Sequence, residues 1–502
     1  MEVRVLEDIL IPKEINIQNI ISKKYSLSPT NYKKVDIQNS NKIKLNKLLG
    51  NPSFIRGTEP GSSTYLKNLT SNIKFVRNSC VDKLNYIVQT QKSFFLNENV
   101  ISYNENQLLS DGDIVVATDA NIGDSALFLD DCSSTYLLSS GMVKINVKKN
   151  VNKYYLLAML KDSYFNIQLD SMTPKGSTIR HSGANMLDCE IPYPSEKNLW
   201  VIKIIENLMK NIAFAERRAQ EIQSAIFRIF DNELQSIVVE EVSTKASDLF
   251  LAKRIDAGFY SEEVQSFFKK IDNYPLGSKN LSELGYKVKR GPNLAKRDLG
   301  RSIKSEAFRP NYSLLIYPSD ISDFGYIDKT TFLGASGKVW FLGEKDILFS
   351  AEGNVGKTFA ICDESMNFTT NFHGIIITPI NKENIDIEST VFIATFLSYM
   401  KKMGIMDKLS VGGQGGSFAV QYWDILKFPN MDENIILKLK ELYYSKYEIH
   451  PFEFNEFEMK KLGIYEISKL RTLCSSLLKL IVNDIKGDEL HSEKYYIDQL
   501  NL

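Results

Sequence analysis

Basic side chains are concentrated between residues 287 and 309. Eight of them lie in this stretch, opposed only by Asp298 and Glu306, although the whole chain has 61 basic and 61 acidic residues. This composition is typical of a phosphate-binding surface, because affinity for a polyphosphate comes from Lys and Arg. A solvated loop is the alternative interpretation. The predicted phosphate contacts are Lys287, Lys289, Arg290, Lys296, Arg297 and Arg301.

Residues 351–358, AEGNVGKT, resemble a nucleotide-binding loop of the GxxxxGK[ST] type with alanine in place of the first glycine. In such a loop the GK[ST] sequence begins a helix, whose free N–H groups face the phosphates. Here the strand-like sequence FAIC follows. The favoured interpretation is a tight turn between two strands, with Lys357 as a further DNA contact. An NTPase centred on Lys357 is the alternative.

Two polar loops, at residues 173–181 and 412–417, carry small, hydroxyl-bearing and basic residues. Small residues allow the backbone to approach a surface closely. Hydroxyl groups can bind phosphates, and Arg and Gln can reach guanine and adenine edges respectively. Flexible loops without a ligand are the alternative. The candidate contacts are Lys175, Gly176, Ser177, Thr178, Arg180, Gln414, Gly415 and Ser417.

Residue patterns for catalysis are missing from the sequence. The four histidines have no metal-ligand spacing, the five cysteines form no CxxC pair, and no GxSxG motif is present. We therefore expect a recognition protein without catalytic residues, without a metal and without a bound cofactor.

The chain contains an internal repeat. Residues 113–145 align with residues 346–378 at a constant offset of 233 positions, without a gap. After a small slip downstream, Gly176-Ser177 aligns with Gly416-Ser417. The matched pairs include Asp113/Asp346, Asn121/Asn354, Gly123/Gly356 and Gly141/Gly374. Two such units predict two related surfaces, and hence a partner with two related sites.

Each repeat predicts a mixed α/β unit. Apolar runs bounded by turn residues predict strands, and longer apolar segments predict helices at 153–169 and from Thr390 to Gly404. The predicted strands are NYIVQ, SFFL, DIVVAT, ALFLD and MVKINV in the first repeat and SLLIYP, KVWFLG, DILFSA, TFAIC and GIIITPI in the second.

Each repeat leads into a helical segment with a narrow apolar seam. Positions 201–229 carry an unbroken heptad seam over 29 residues, which predicts a helix about 43 Å long at ~1.5 Å per residue. The second segment is interrupted near His450-Pro451. Two narrow seams in one chain are most simply buried against each other, antiparallel. The seam residues proposed for the spacer and for partner docking are Ile205, Leu208, Ile212, Ile222, Ile226, Ile467, Leu470 and Leu477.

Composition indicates a globular protein with two or three domains: 43% of the 502 residues are hydrophobic and 24% are charged. No apolar run approaches the ~20 residues of a membrane helix, and the N-terminus does not resemble a signal peptide. The scattered cysteines favour a reducing compartment. We therefore expect a cytoplasmic protein without a membrane partner.

These segments together resemble the DNA specificity (S) subunits of Type I restriction–modification systems. The resemblance covers about residues 70–240 and 280–480. The motifs that carry it are GDIVVATDANIGD and KDILFSAEGNVGKT, the helix YYLLAMLKDSYF, the loops PKGSTI and GGQGGSF, and the closing strands CEIPYP and ILKFP.

The resemblance implies an α+β protein with two duplicated mixed α/β target-recognition domains, joined and spaced by long helices that pair as an antiparallel coiled coil. We place the first domain at residues 1–195, the spacer helix at 196–245, the second domain at 246–431 and a C-terminal helical region at 432–502. Each domain would read one half of a split duplex sequence, in successive major grooves.

The resemblance also implies partners. Two adenine methyltransferase subunits would carry S-adenosylmethionine and flip the target base, and an ATP-dependent restriction subunit could join them. Two alternatives stay open besides the NTPase: a scaffold of another phage-defence or methylation complex, and a scaffold that binds only protein.

Overall fold

The computed structural model describes residues 8–10, 12, 14–22, 25, 27, 32, 34–66, 70–173, 180–239, 254–412 and 417–499. The chain forms two compact units. The first comprises residues 1–217, 451–454 and 477–502, and the second comprises residues 218–450 and 455–476.

Up to residue 235, the described residues form the strands of the first unit, four short helices and one long helix. The strands are β1 Asp8–Leu10, β2 Lys34–Asp36, β3 Lys42–Lys44, β4 Leu49–Arg56, β5 Tyr65–Leu66, β6 Ile73–Val76, β7 Phe94–Leu96, β8 Ile114–Ala117, β9 Ser125–Leu127, β10 Thr135–Leu138, β11 Met142–Val147 and β12 Glu190–Pro192. The helices are α1 Ile17–Ser22, α2 Leu45–Leu48, α3 Lys153–Lys161, α4 Ser163–Met172 and α5 Trp200–Gln235.

The rest of the chain forms a second set of elements. The strands are β13 Ser278–Asn280, β14 Tyr286–Arg290, β15 Ser302–Ser305, β16 Ser313–Leu315, β17 Thr331–Ala335, β18 Ile347–Ser350, β19 Thr358–Ala360, β20 Phe368–Thr369, β21 Gly374–Pro379 and β22 Lys427–Pro429. The helices are α6 Glu262–Asp272, α7 Lys296–Leu299, α8 Ile387–Lys402, α9 Ile405–Leu409, α10 Glu433–Tyr443, α11 Glu456–Met459, α12 Ile464–Gly487 and α13 Glu493–Asp498.

The two units have the same sheet topology. An antiparallel sheet of order β4-β11-β8-β9 recurs as β14-β21-β18-β19, and a second sheet of order β5-β7-β6-β10 recurs as β15-β17-β16-β20. The second sheet has one parallel pair in each unit, β6 with β10 and β16 with β20. A two-stranded sheet, β3 with β12 and β13 with β22, completes the set. The predicted duplication and the mixed α/β class are therefore confirmed.

Strand register corrects the predicted alignment of the repeats. Ala117 pairs with Met142 in the first unit, and Ser350 pairs with Gly374 in the second. Met142, and not Gly141, is therefore the counterpart of Gly374. The gap-free alignment is wrong by one residue beyond the turn after β9, because apolar alternation alone does not fix the length of a connecting turn.

Some predicted elements are wrong. The segments NYIVQ and KVWFLG do not form strands. Ile87 makes only an isolated bridge to Leu127, and Trp340 and Phe341 are 37% and 41% exposed, so apolar composition there does not reflect a buried sheet. The helix predicted at 153–169 is two helices. Asp162 ends the first of them and caps the second through the backbone N–H of Tyr164.

The most apolar strands lie at the centre of each unit. All residues of β8 and of β18 are buried, which explains why the runs DIVVA and DILFS are apolar without alternation. Helix α3 packs on β9, and helix α8 packs on β19. The first sheet of each unit is therefore covered on one face by a helix that the sequence predicted.

The long helices carry buried seams. The eight seam residues named above are all buried. The start of α5 lies in the first unit with the end of α12, and the end of α5 lies in the second unit with the start of α12. The two helices therefore pair antiparallel, as predicted.

The predicted interruption near His450-Pro451 is present. The chain leaves helix α10 at Tyr443 and becomes helical again at Glu456. Asn211 of α5, which is fully buried, donates hydrogen bonds from Nδ2 to the carbonyl oxygens of Pro451 and Glu453, each at 2.8 Å. These bonds hold the extended segment against α5 within the first unit.

A buried ion pair joins α12 to the start of α4 within the first unit. Lys486 Nζ lies 2.9 Å from Asp162 Oδ1, and the two side chains are 3% and 9% exposed. No helix in the described ranges is both long enough and apolar enough to cross a membrane.

Asp320, in the turn that follows β16, should make stability depend on pH. Burial raises the pKa of Asp320 to about 6, against the opposing backbone hydrogen bond from Tyr317. When the folded protein binds a carboxyl proton more tightly than the unfolded protein does, the free energy of unfolding falls as pH rises from the unfolded pKa to the folded pKa of that carboxyl.

We therefore expect Asp320→Asn to be more stable than the parent at pH 8 by up to about 3 kcal/mol, because asparagine keeps an acceptor without the charge. At pH 4 the difference should be close to zero. Urea unfolding at both pH values measures this, and an equal effect at pH 4 and pH 8 would contradict it.

Candidate nucleic-acid interface

The basic segment forms one edge of the second unit. Lys287, Lys289 and Arg290 lie on β14, an edge strand of its sheet. Lys296 and Arg297 lie in the short helix α7, and Arg301 directly precedes β15. All six are exposed. Lys289 Nζ lies 4.6 Å from the centre of the Trp340 ring, so that this cation sits against an exposed aromatic face.

Arg290 is held by two acceptors at the end of β14. Its Nη1 lies 3.2 Å from Glu352 Oε1 and donates to the carbonyl oxygen of Phe372 at 3.4 Å. His373 Nδ1 lies 2.6 Å from the other carboxylate oxygen, Glu352 Oε2. Partial burial opposes ionisation of Glu352, but the hydrogen bonds from His373 and Arg290 outweigh it and lower the pKa of this carboxyl.

Arg56 occupies a matching position at the end of β4 in the first unit. Its Nε donates to the carbonyl oxygen of Ser140 at 2.7 Å, and its Nη2 lies 3.5 Å from Asp119 Oδ2. His181 Nδ1 lies 2.9 Å from Asp119 Oδ1. The first unit thus has the same three side-chain types in contact: an arginine, a carboxylate and a histidine.

Strand register shows that the two arginines are equivalent. Arg56 pairs with Val143 on β11, and Arg290 pairs with Ile375 on β21. Asp119 and Glu352 lie 233 positions apart, shortly after β8 and β18. We call these the Arg56 cluster (Arg56, Asp119, His181) and the Arg290 cluster (Arg290, Glu352, His373).

Sequence reasoning missed Arg56 and both carboxylates. The available signal was the dipeptide Arg-Gly, which occurs at residues 56–57 and again at 290–291. Its significance depends on β4 and β14, which the sequence did not predict as strands. For Arg290 the sequence predicts only a phosphate contact within the basic segment.

The glycine after each arginine approaches a neighbouring backbone closely. An ideal Cβ on Gly291 would lie 2.1 Å from the carbonyl oxygen of Asn371, and one on Gly57 would lie 2.2 Å from that of Ser139. Real Cβ atoms do not approach backbone so closely. The absence of a side chain at these glycines therefore allows the end of β4 or β14 to lie close to the turn whose carbonyl oxygen accepts from the arginine.

Alanine at Gly57 or Gly291 should thus lower the free energy of unfolding by about 1–3 kcal/mol, because the backbone must shift. Urea unfolding of each variant measures the loss. Gly50→Ala on β4 is the matched control, since its Cβ would meet only the side chain of Asn146. An equal loss in this control would contradict the expectation.

Backbone pairing also corrects the predicted alignment of the polar loops. Ser182 N–H donates to Thr118 O at 2.8 Å, and Phe418 N–H donates to Ala351 O at 2.9 Å. His181 is therefore the counterpart of Ser417, as their bridges to Asp119 and Glu352 also show. The alignment of Gly176-Ser177 with Gly416-Ser417 is wrong by four residues, because the two loops differ in length.

Most of the predicted loop contacts lie outside the described residues. These are Lys175, Gly176, Ser177 and Thr178 in the first loop and Gln414 and Gly415 in the second. Arg180 lies just after the first loop, with its Nη1 2.6 Å from Asp170 Oδ1. Ser417 pairs with Glu352 and so lies beside the Arg290 cluster.

Lys357 lies in a different environment from the basic segment. Its side chain is 10% exposed, and its Nζ lies 3.1 Å from Asp323 Oδ1. Strand β19 follows directly, so the residues after Gly356 supply no helix N-terminus for a phosphate. The geometry of a nucleotide-binding loop is not present here.

Residues 57–224 match the family model of the Type I restriction modification DNA specificity domain. This match confirms, for that part of the chain, the resemblance inferred from the sequence. No curated protein matches the chain.

Solved structures of similar description align over most of the chain. The S subunit of the Type-I restriction-modification system from M. genitalium is 12% identical, with 90% of this chain and 96% of that chain covered and a TM-score of 0.37. The HsdS subunit from Thermoanaerobacter tengcongensis is 13% identical, with 90% and 97% covered and a TM-score of 0.27.

A structure described as the basis of complex assembly and conformational transition of the type I R-M system is 13% identical, with 90% and 98% covered and a TM-score of 0.27.

Proposed function

We propose that this protein binds double-stranded DNA at a bipartite sequence, with one part of the target read by each unit. The observation that supports this most strongly is the duplication itself. The second unit repeats the sheet topology of a unit whose residues 57–224 match a DNA specificity domain. It repeats the arginine–carboxylate contact as well.

The exposed cations of the second unit suit contact with the DNA backbone. Lys287, Lys289, Lys296, Arg297 and Arg301 are exposed along one edge. Lysine and arginine contacts to phosphates give salt-dependent affinity and set orientation, while base-edge contacts give sequence specificity. The polar loops that end at His181 and Ser417 are candidates for those base contacts.

We propose further that the protein is not itself an enzyme and directs a catalytic partner. A DNA adenine methyltransferase, in two copies and with S-adenosylmethionine as its own cofactor, would act on a base flipped out of the bound duplex. An ATP-dependent restriction subunit is a further candidate partner. Because the seams of α5 and α12 are buried within the chain, a partner would dock on apolar surface near them rather than on the seam residues predicted from the sequence. The complex would act in the cytoplasm.

Selection of duplexes from a randomised library by the full chain tests the DNA-binding proposal. We expect enrichment of a split sequence, with two specified parts separated by unspecified positions. Enrichment of no sequence, or affinity that does not change between 50 and 200 mM salt, would overturn it.

A pull-down of the tagged chain from its native extract tests the partner. Recovery of an adenine methyltransferase at about twice the molar amount is expected. If the selected DNA sequence is specific but a different catalytic protein is recovered, the chain serves another DNA-modifying or defence complex.

A further inference from the structure

The geometry points to Arg56 and Arg290 as equivalent guanine-reading residues, one in each unit. This inference rests on the proposed function and adds to it a base and a residue for each part of the target. It also gives Arg290 a different role from the phosphate contact predicted by its place in the basic segment.

Each arginine is fixed by two acceptors of different kinds. One acceptor is the backbone carbonyl of an equivalent turn residue, Ser140 or Phe372. The other is a carboxylate oxygen, of Asp119 or Glu352. Base reading requires a guanidinium held in one orientation, whereas a phosphate contact tolerates a mobile side chain. Two acceptors, one on the turn before β11 or β21 and one just after β8 or β18, supply this constraint.

The second oxygen of each carboxylate faces a histidine. His181 Nδ1 lies 2.9 Å from Asp119 Oδ1 without the geometry of a hydrogen bond, whereas His373 Nδ1 is hydrogen-bonded to Glu352 Oε2 at 2.6 Å. The two histidines come from different places in the repeat, since His181 follows the polar loop and His373 precedes β21. The same arginine–carboxylate–histidine arrangement is thus assembled in two ways. This favours a functional role, because common ancestry alone would not place a histidine beside the carboxylate from two different positions.

The arginines remain accessible despite these contacts. The Arg56 and Arg290 side chains are 55% and 45% exposed. Within the described ranges, Arg290 makes no hydrogen bond through Nε or Nη2, and Arg56 makes none through Nη1. Arg290 therefore keeps its Nε–Nη2 edge, with two N–H donors, for a ligand. Arg56 keeps the edge formed by Nη1 and the second N–H of Nη2. Such an edge matches the O6 and N7 acceptors of guanine in the major groove.

Charge also separates these arginines from the neighbouring lysines. Each arginine lies beside a carboxylate, so its cluster adds little net charge to the surface. Lys287, Lys296 and Arg301 have no such carboxylate partner among the ion pairs of the described residues. Affinity for phosphates is therefore assigned to those cations, and orientation-dependent recognition to the clusters.

The test is library selection with the full chain and two variants, Arg56→Gln and Arg290→Gln. We expect each variant to lose its preference for guanine at one position of one target part only, by about 5- to 100-fold, with the other part unchanged. Glu352→Gln should weaken the same position as Arg290→Gln, because Glu352 positions that arginine.

Lys149→Gln and Lys279→Gln are charge-matched controls on exposed residues of the first and second units. Equal weakening of specific and random duplexes by the arginine variants would overturn the inference, since it would identify phosphate contacts. Unchanged selection would overturn it as well. Thermal unfolding checks that each variant is folded. If the parent protein selects no sequence, the proposed function itself fails, and the parent alone shows this.

Discussion

Asp162→Ala is expected to lower the free energy of unfolding by about 3–5 kcal/mol. The substitution removes the carboxylate that lies 2.9 Å from Lys486 Nζ, while the lysine charge stays in the interior on a side chain that is 3% exposed. It also removes the cap of α4, where Asp162 accepts a hydrogen bond from Tyr164 N–H. Urea unfolding followed by circular dichroism measures the loss.

Two further variants separate the contributions to this loss. Asp386→Ala removes a similar cap from α8, where an exposed carboxylate accepts from Ser389 N–H, and should cost about 1 kcal/mol. Asp162→Ala combined with Lys486→Met should recover part of the stability, because the buried charge is removed with its partner. A loss in Asp162→Ala no larger than in Asp386→Ala would show that the ion pair contributes little.

Replacing the five cations Lys287, Lys289, Lys296, Arg297 and Arg301 with glutamine is expected to weaken duplex binding on the order of 10³-fold at 50 mM salt. Each phosphate contact contributes about 0.9 to the slope of log affinity against log salt concentration. The slope should therefore become shallower by about 4. Fluorescence anisotropy between 50 and 200 mM salt measures both quantities.

A matched variant removes five exposed lysines elsewhere in the second unit: Lys269, Lys279, Lys438, Lys460 and Lys461. We expect it to retain most of the affinity and the salt slope, because its net charge changes equally while the basic edge stays intact. Equal losses in the two variants would assign the effect to net charge rather than to this surface.

Much of the fold could be predicted from apolar patterns. The runs DIVVA and DILFS predict strands because they are apolar and bounded by turn residues. They are apolar because both faces of β8 and β18 are buried. The heptad seam predicted α5, although the helix extends to Gln235. In these elements the apolar pattern of the sequence matches the buried positions, so the pattern alone is sufficient to predict the element.

The edge strands and the clusters could not be predicted in the same way. Strand β14 has the sequence YKVKR, in which only Tyr286 is buried, so its composition is that of a solvated loop. The Arg290 cluster depends on the pairing of β14 with β21 and on the turn that precedes β21. Both are set by register, which a turn of unpredicted length can shift by one residue.

The first unit contains segments that are far apart in the sequence, and this affects how the chain folds during synthesis. Asn39 donates a hydrogen bond to the carbonyl oxygen of Ile485, 446 positions later, and residues 477–502 belong to this unit. During translation the first unit therefore cannot close until α12 has left the ribosome. Contacts between such distant residues form slowly. Until then the apolar seam of α5 is exposed on the nascent chain, which makes it a substrate for chaperones throughout synthesis of the second unit.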